Sequence, residues 1–122
     1  MNFSLSKESL EWLHLWSRVA PRELPSKVII EELQTFNPTK AVRLYRFVSN
    51  PETENQKKIL AWTNDLKYSL DTFHEGDSLI RVVDIEPNKI ISFNPNVFQN
   101  INSLELTKQF DIFKEEVITF QI

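Results

Sequence analysis

The chain contains no cysteine and only one glycine, Gly76, among its 122 residues. Without cysteine there is no disulfide framework, no thiolate metal site and no thiol nucleophile, which suits a reducing cytosol. One glycine is too few for a glycine-rich phosphate loop, so neither the dinucleotide-binding fingerprint nor the P-loop is available. Any bound nucleotide must be held in another way. An excess of positive charge is also missing. The 14 Lys and Arg are dispersed among 17 Asp and Glu, for a net charge of −3. No basic stripe of the kind that neutralises a phosphate backbone results, and direct nucleic-acid binding is not expected. No apolar run approaches the roughly 20 residues that span a bilayer. The N-terminal stretch Lys7-Glu8-Ser9-Leu10-Glu11-Trp12 does not follow a signal-peptide pattern. The expectation is a soluble, cytoplasmic protein with no export signal and no membrane contact. His14 and His74 lack companions at metal-ligand spacing, so no metal is expected. Repeats and low-complexity tracts are absent as well.

What is present is apolar and aromatic: 41% of residues are hydrophobic, including nine Phe and three Trp. That suffices to drive collapse of one core, and the length suits a single domain of about 100–150 residues. Residues 6–20 carry Leu10, Leu13, Trp16 and Val19 at helical spacing, with Ser6 placed to cap and Pro21 to stop the helix. A second helix begins after Pro25 and Ser26, buries Ile29, Ile30, Leu33 and Phe36, and ends before Asn37-Pro38. The short connection predicts a helical hairpin over residues 1–38, with Glu31-Glu32 on its solvated face.

From residue 41 the pattern turns strand-like, at 41–49, 59–63, 79–85, 89–93 and 110–122. Leu66, Leu70 and Phe73 share a helical face, which predicts one inserted helix over 64–73. Asn50-Pro51 and Asn94-Pro95 mark loops at 50–58 and 94–107. The fold class is therefore α+β: a helical hairpin, then a mostly antiparallel sheet with an inserted helix.

Three charges fall on the wrong face. Alternate residues of a strand share a side, so Val42, Leu44 and Val48 form an apolar face on which Arg46 also lies, while Arg43 lies opposite. In the last segment Phe110, Ile112, Ile118, Phe120 and Ile122 form such a face, and Lys114 and Glu116 fall on it, whereas Glu115 does not. A charge so placed costs several kcal/mol unless paired, hydrogen-bonded or opened onto a cleft. A buried ion pair and a functional site both meet that requirement.

Four stretches, in order, are Leu44-Tyr45-Arg46, Leu60-Ala61-Trp62-Thr63-Asn64, residues 79–87 followed by Ile90-Ile91, and Lys114-Glu115-Glu116-Val117-Ile118. Their order and spacing resemble the mono-ADP-ribosyltransferases, especially compact phage and bacterial forms, over residues 41–122. The resemblance implies an ADP-ribosyltransferase-like fold with NAD as substrate. It implies that Arg46 grips the NAD phosphates, that Ala61-Trp62-Thr63 shape the nicotinamide pocket with Trp62 placed to stack on nicotinamide or adenine, and that Tyr45 is a further cofactor-binding position. Glu116 would be the catalytic carboxylate at the nicotinamide ribose. The implied partner is a protein target, in the host cytoplasm if the chain is phage encoded. Ala61 replaces the family's usual first serine, and Phe47 follows the arginine where a small residue or histidine is common. Lys114 stands where arginine-modifying members carry Glu or Gln. These departures weigh against arginine acceptors and admit a catalytically silent member. Such a member would bind a protein partner, with the hairpin and its Trp12 and Trp16 as the recognition surface. An unrelated small structural or inhibitor domain is the third alternative.

Overall fold

The computed structural model describes residues 5–19, 23–48, 51–65, 79–99 and 117–122. In chain order the elements are helices α1 (Lys7–Val19) and α2 (Lys27–Gln34), strand β1 (Val42–Val48), short helix α3 (Pro51–Glu54) and strands β2 (Ile59–Trp62) and β3 (Leu79–Ile85). After a 3-10 turn at Pro87–Lys89 come β4 (Ile90–Phe93), short helix α4 (Asn94–Val97) and β5 (Val117–Phe120). These elements make a small α+β protein with antiparallel sheets.

Both long helices start as their sequences predict. Ser6 Oγ accepts the Ser9 N–H at 3.3 Å, and Ser26 Oγ accepts the Ile29 N–H at 3.4 Å. Each hydroxyl satisfies one of the amide donors that a helix start leaves without a partner. Ser9, Trp12, Leu13 and Trp16 of α1 are buried at the i, i+3, i+4, i+7 spacing of one helical face. The Ser6 N–H also donates to Glu32 Oε1 at 2.7 Å and so ties the start of α1 to α2. Glu32 is thus a half-buried acceptor, and only Glu31 of the acidic pair is solvated.

Strands β1 and β3 form a two-stranded ribbon paired from Val42↔Ile85 to Val48↔Leu79. The other three form a sheet of order β2-β5-β4, antiparallel throughout, with a bulge between Ile90 and Ser92. Among the described residues the strands thus form two antiparallel sheets where one was expected. They meet at a corner, where Tyr45 and Thr63 exchange both backbone hydrogen bonds at 2.8 and 2.9 Å.

Cross-strand partners lie on the same face, which explains how the layers stack. Ile59, Ile91 and Ile118 turn one face of the three-stranded sheet toward Trp12, Leu13, Trp16 and Leu33 of the helices. Leu60, Trp62, Ile90 and Val117 turn the other toward Leu44 and Ile85 of the ribbon. Helices, sheet and ribbon thus form three layers, and β5 is buried on both sides.

Two predicted loops contain structure. Residues 51–54 form α3, and residues 94–97 form α4. The inserted helix expected over 64–73 lies outside the described residues from residue 66 onward. The last strand, expected over 110–122, is described only from residue 117.

Candidate functional site

The alternation of β1 turns Leu44, Arg46 and Val48 toward the protein interior and Arg43 outward. Leu44 and Val48 are buried, while the Arg46 side chain keeps 13% of its surface exposed. Directly across the ribbon from Arg46 stands Arg81. Like charges opposite one another on paired strands destabilise a sheet unless something neutralises them. Glu54, at the end of α3, does so.

Pro51 opens α3, where a missing N–H costs nothing and φ is already suited to a helix. The turn closes through the Gln56 N–H to Thr53 O and the Lys57 N–H to Glu54 O. The Gln121 side-chain amide then donates to Glu54 O at 2.7 Å, anchoring the turn to the end of β5. This placement presents the Glu54 carboxylate to Arg46. Arg46 Nε–H donates to Glu54 Oε2 at 2.8 Å and its terminal N–H to Oε1 at 2.9 Å, a bidentate charge-assisted pair. The other terminal nitrogen of Arg46 donates to Ala61 O at 2.9 Å, across the corner into β2. Arg81 approaches the same carboxylate at 3.6 Å and Lys57 at 4.0 Å. Three cations therefore surround one carboxylate that is only 7% exposed. The hydrogen bonds from Arg46 hold the Glu54 pKa below the usual carboxylate range. They outweigh the opposing effect of burial, and the charges of Arg46, Lys57 and Arg81 add to them.

Trp62 lies beneath this cluster. Its indole Nε1–H donates to Thr119 Oγ1 at 2.8 Å, and the Arg81 guanidinium stands 5.3 Å from its ring centroid. With 1% of its surface exposed, Trp62 is a core side chain, and the group over its ring is the Arg81 guanidinium. Thr63 is also buried; its hydroxyl accepts the Asp65 N–H at 3.1 Å, and its backbone pairs with Tyr45. Tyr45, Arg46, Ala61, Trp62 and Thr63 thus gather at the corner between ribbon and sheet. Glu116 and Lys114 lie outside the described residues. Val117, which follows Glu116 in the chain, is the register partner of Trp62, so β5 begins at the corner end of β2.

Compared with protein-family models, curated proteins and solved structures, the chain matches none of them. The site is therefore read from its own geometry.

Sequence reasoning missed Arg81, Glu54 and Lys57, three of the four members of the cluster. Arg81 was legible: Leu79, Arg81, Val83 and Ile85 share one side of β3, an apolar face carrying a cation, as in β1. Glu54 was not, because it sits in the polar run Pro51-Glu52-Thr53-Glu54-Asn55-Gln56, where nothing distinguishes it from its solvated neighbours. The partner that Arg46 required is thus Glu54, eight residues along the chain. Trp12 and Trp16 need a different account from the one their sequence suggested. They are 7% and 5% exposed, with ring centroids 5.8 Å apart, and pack in the core, not on a recognition surface. Among the described residues no helix is long and apolar enough to cross a membrane.

Proposed function

We propose that the chain is a mono-ADP-ribosyltransferase-like protein that uses NAD as substrate and modifies a protein target. The observation that carries this reading is the corner itself. Tyr45 and Thr63, from motif stretches 18 positions apart in sequence, exchange both backbone hydrogen bonds, and Arg46 reaches Ala61 O from the same place. A third stretch approaches with Val117, paired to Trp62. The described parts of these stretches thus lie together at one corner, which supports the reading.

In this mechanism the bond between nicotinamide and the ribose anomeric carbon breaks, and its electron pair leaves with nicotinamide. The sugar develops oxocarbenium-like charge, which the Glu116 carboxylate stabilises electrostatically and through a ribose hydroxyl. A nucleophile of the target forms the new bond at the anomeric carbon and loses its proton. Arg46 contributes a bidentate contact to the pyrophosphate, replacing the backbone cradle that a chain with one glycine cannot build. Thr63 shapes the pocket wall at the corner. Incubation with labelled NAD and a bacterial lysate tests the reading. Label transfer that Glu116→Gln abolishes, with both proteins folded, supports it; absence of both transfer and NAD hydrolysis refutes it.

One observation favours a second reading, a catalytically silent member that works by binding a protein. Arg46 is already saturated on one edge by Glu54, and Ala61 offers no hydroxyl near it. On that reading Glu116→Gln leaves partner capture intact, and titration with NAD gives no heat.

A further inference from the structure

The charge balance around Glu54 is uneven. Arg46 binds it bidentately, Arg81 stands at 3.6 Å while also donating to Ile122 O at 2.8 Å, and Lys57 stands at 4.0 Å, so three cations share one carboxylate. Arg43 and Asp84 on the outer face of the same ribbon instead pair one to one. The two arginines are register partners held side by side by the ribbon backbone. Their planar forks match carboxylate and phosphate oxygens alike. Access is graded: the side chains of Lys57, Arg81 and Arg46 are 51%, 29% and 13% exposed. An anion arriving from solvent meets Lys57 and Arg81 before Arg46.

We propose that Arg46, Arg81 and Lys57 form a binding site for a phosphate-bearing anion, and that Glu54 is its built-in occupant, which the ligand must displace from Arg46. The carboxylate holds the two forks in the orientation a phosphate needs and prevents their mutual repulsion while the site is empty of ligand. It also lowers apparent affinity, because only the fraction of molecules with Arg46 released is competent to bind. A ligand carrying two or more negative charges meets more of the cationic excess than one carboxylate does, which selects for phosphate groups over simple carboxylates. For the identity of the natural ligand, the NAD pyrophosphate, this inference rests on the function proposed above; the site itself rests on the charge cluster alone.

Calorimetric titration with inorganic pyrophosphate tests it. Glu54→Gln keeps the shape of the side chain and removes its charge, and is expected to bind pyrophosphate at least about tenfold more tightly than wild type, as occupancy of Arg46 falls. Adding Arg81→Gln to Glu54→Gln should erase that gain. Equal affinity of wild type and Glu54→Gln overturns the inference, as does a gain that survives Arg81→Gln. Where Glu54→Gln does not melt cooperatively, Glu54→Asp replaces it: its shorter carboxylate cannot reach both Arg46 nitrogens, and it must show a smaller gain in the same direction. If that variant fails as well, NMR of the wild type decides: millimolar pyrophosphate must shift the Arg46 and Arg81 Nε–H signals, and no shift overturns the inference. A tighter pyrophosphate complex without label transfer from NAD leaves this site standing and removes the transferase reading. Transfer by wild type, with no gain in Glu54→Gln, does the reverse.

Discussion

Removing the carboxylate of Glu54 should be among the more damaging single changes the protein can suffer, and the cost follows from its contacts. Glu54→Ala deletes two charge-assisted hydrogen bonds from Arg46 and leaves Arg46 and Arg81 facing one another across the ribbon with nothing between them. Breaking a buried ion pair by removing one partner costs about 3–5 kcal/mol. Arg46 keeps its bond to Ala61 O and Arg81 its bond to Ile122 O, so the lower end, about 3 kcal/mol, applies here. For a domain of this length each kcal/mol moves the melting midpoint by about 4 °C, so the expected drop is about 12 °C at pH 7. Tryptophan fluorescence reads it, because Trp62 lies directly under Arg81. The cost also depends on pH, in a definite direction. Arg46 lowers the folded-state pKa of Glu54. The stabilisation is therefore fully present above the unfolded-state value, about 4.3 for Glu, and is lost as pH falls through the lower folded value. The gap between wild type and Glu54→Ala should be level from neutral pH to about pH 5 and close only in stronger acid. A drop under about 3 °C at pH 7, or a gap that closes already at pH 6, refutes the reasoning.

Three further outcomes are expected. Trp62→Phe removes the bond to Thr119 Oγ1 inside the core and should cost about 1–3 kcal/mol, read from urea unfolding midpoints at unchanged slope. Trp16→Ala should destabilise by about 3–5 kcal/mol, because the side chain is 5% exposed and packs on the sheet; a neutral effect would mean that the indole is not buried. Asp84→Asn should leave the melting curve unresolved from wild type, since its bidentate pair with Arg43 is exposed on both sides and screened by solvent.

Local order is where the sequence read most directly. Helix starts at Ser6 and Ser26, the strand at 79–85 and the inward position of Arg46 follow from caps and alternation, which act within a few residues. Three features escaped for a common reason: each depends on which element lies next to which. Glu54 gains meaning only once α3 folds back against β1. Trp12 and Trp16 look like exposed anchors until a sheet covers them. Parity also loses its force in β5. Val117, Ile118 and Thr119 are all fully buried, so a central strand offers no polar side against which a misplaced charge such as Glu116 can be judged. Alternation does mark out Arg46, because the ribbon keeps a solvent face, which carries Arg43 and Asp84.

The position of β5 in the middle of its sheet bears on how the chain assembles. Among the described residues, strands β2 and β4 have no ladder with each other and each pairs with β5, so Ile59 must wait for Phe120, 61 residues later. A ribosome therefore releases both flanking strands, and the helices that rest on them, before the strand that joins them exists. Until then Leu60, Trp62, Ile90 and Ile91 belong to unpaired edges, the state in which chains seek pairing with one another. Such non-local closure is slow compared with helix formation. Truncation just before residue 117 should consequently yield an aggregating chain, not a smaller folded domain.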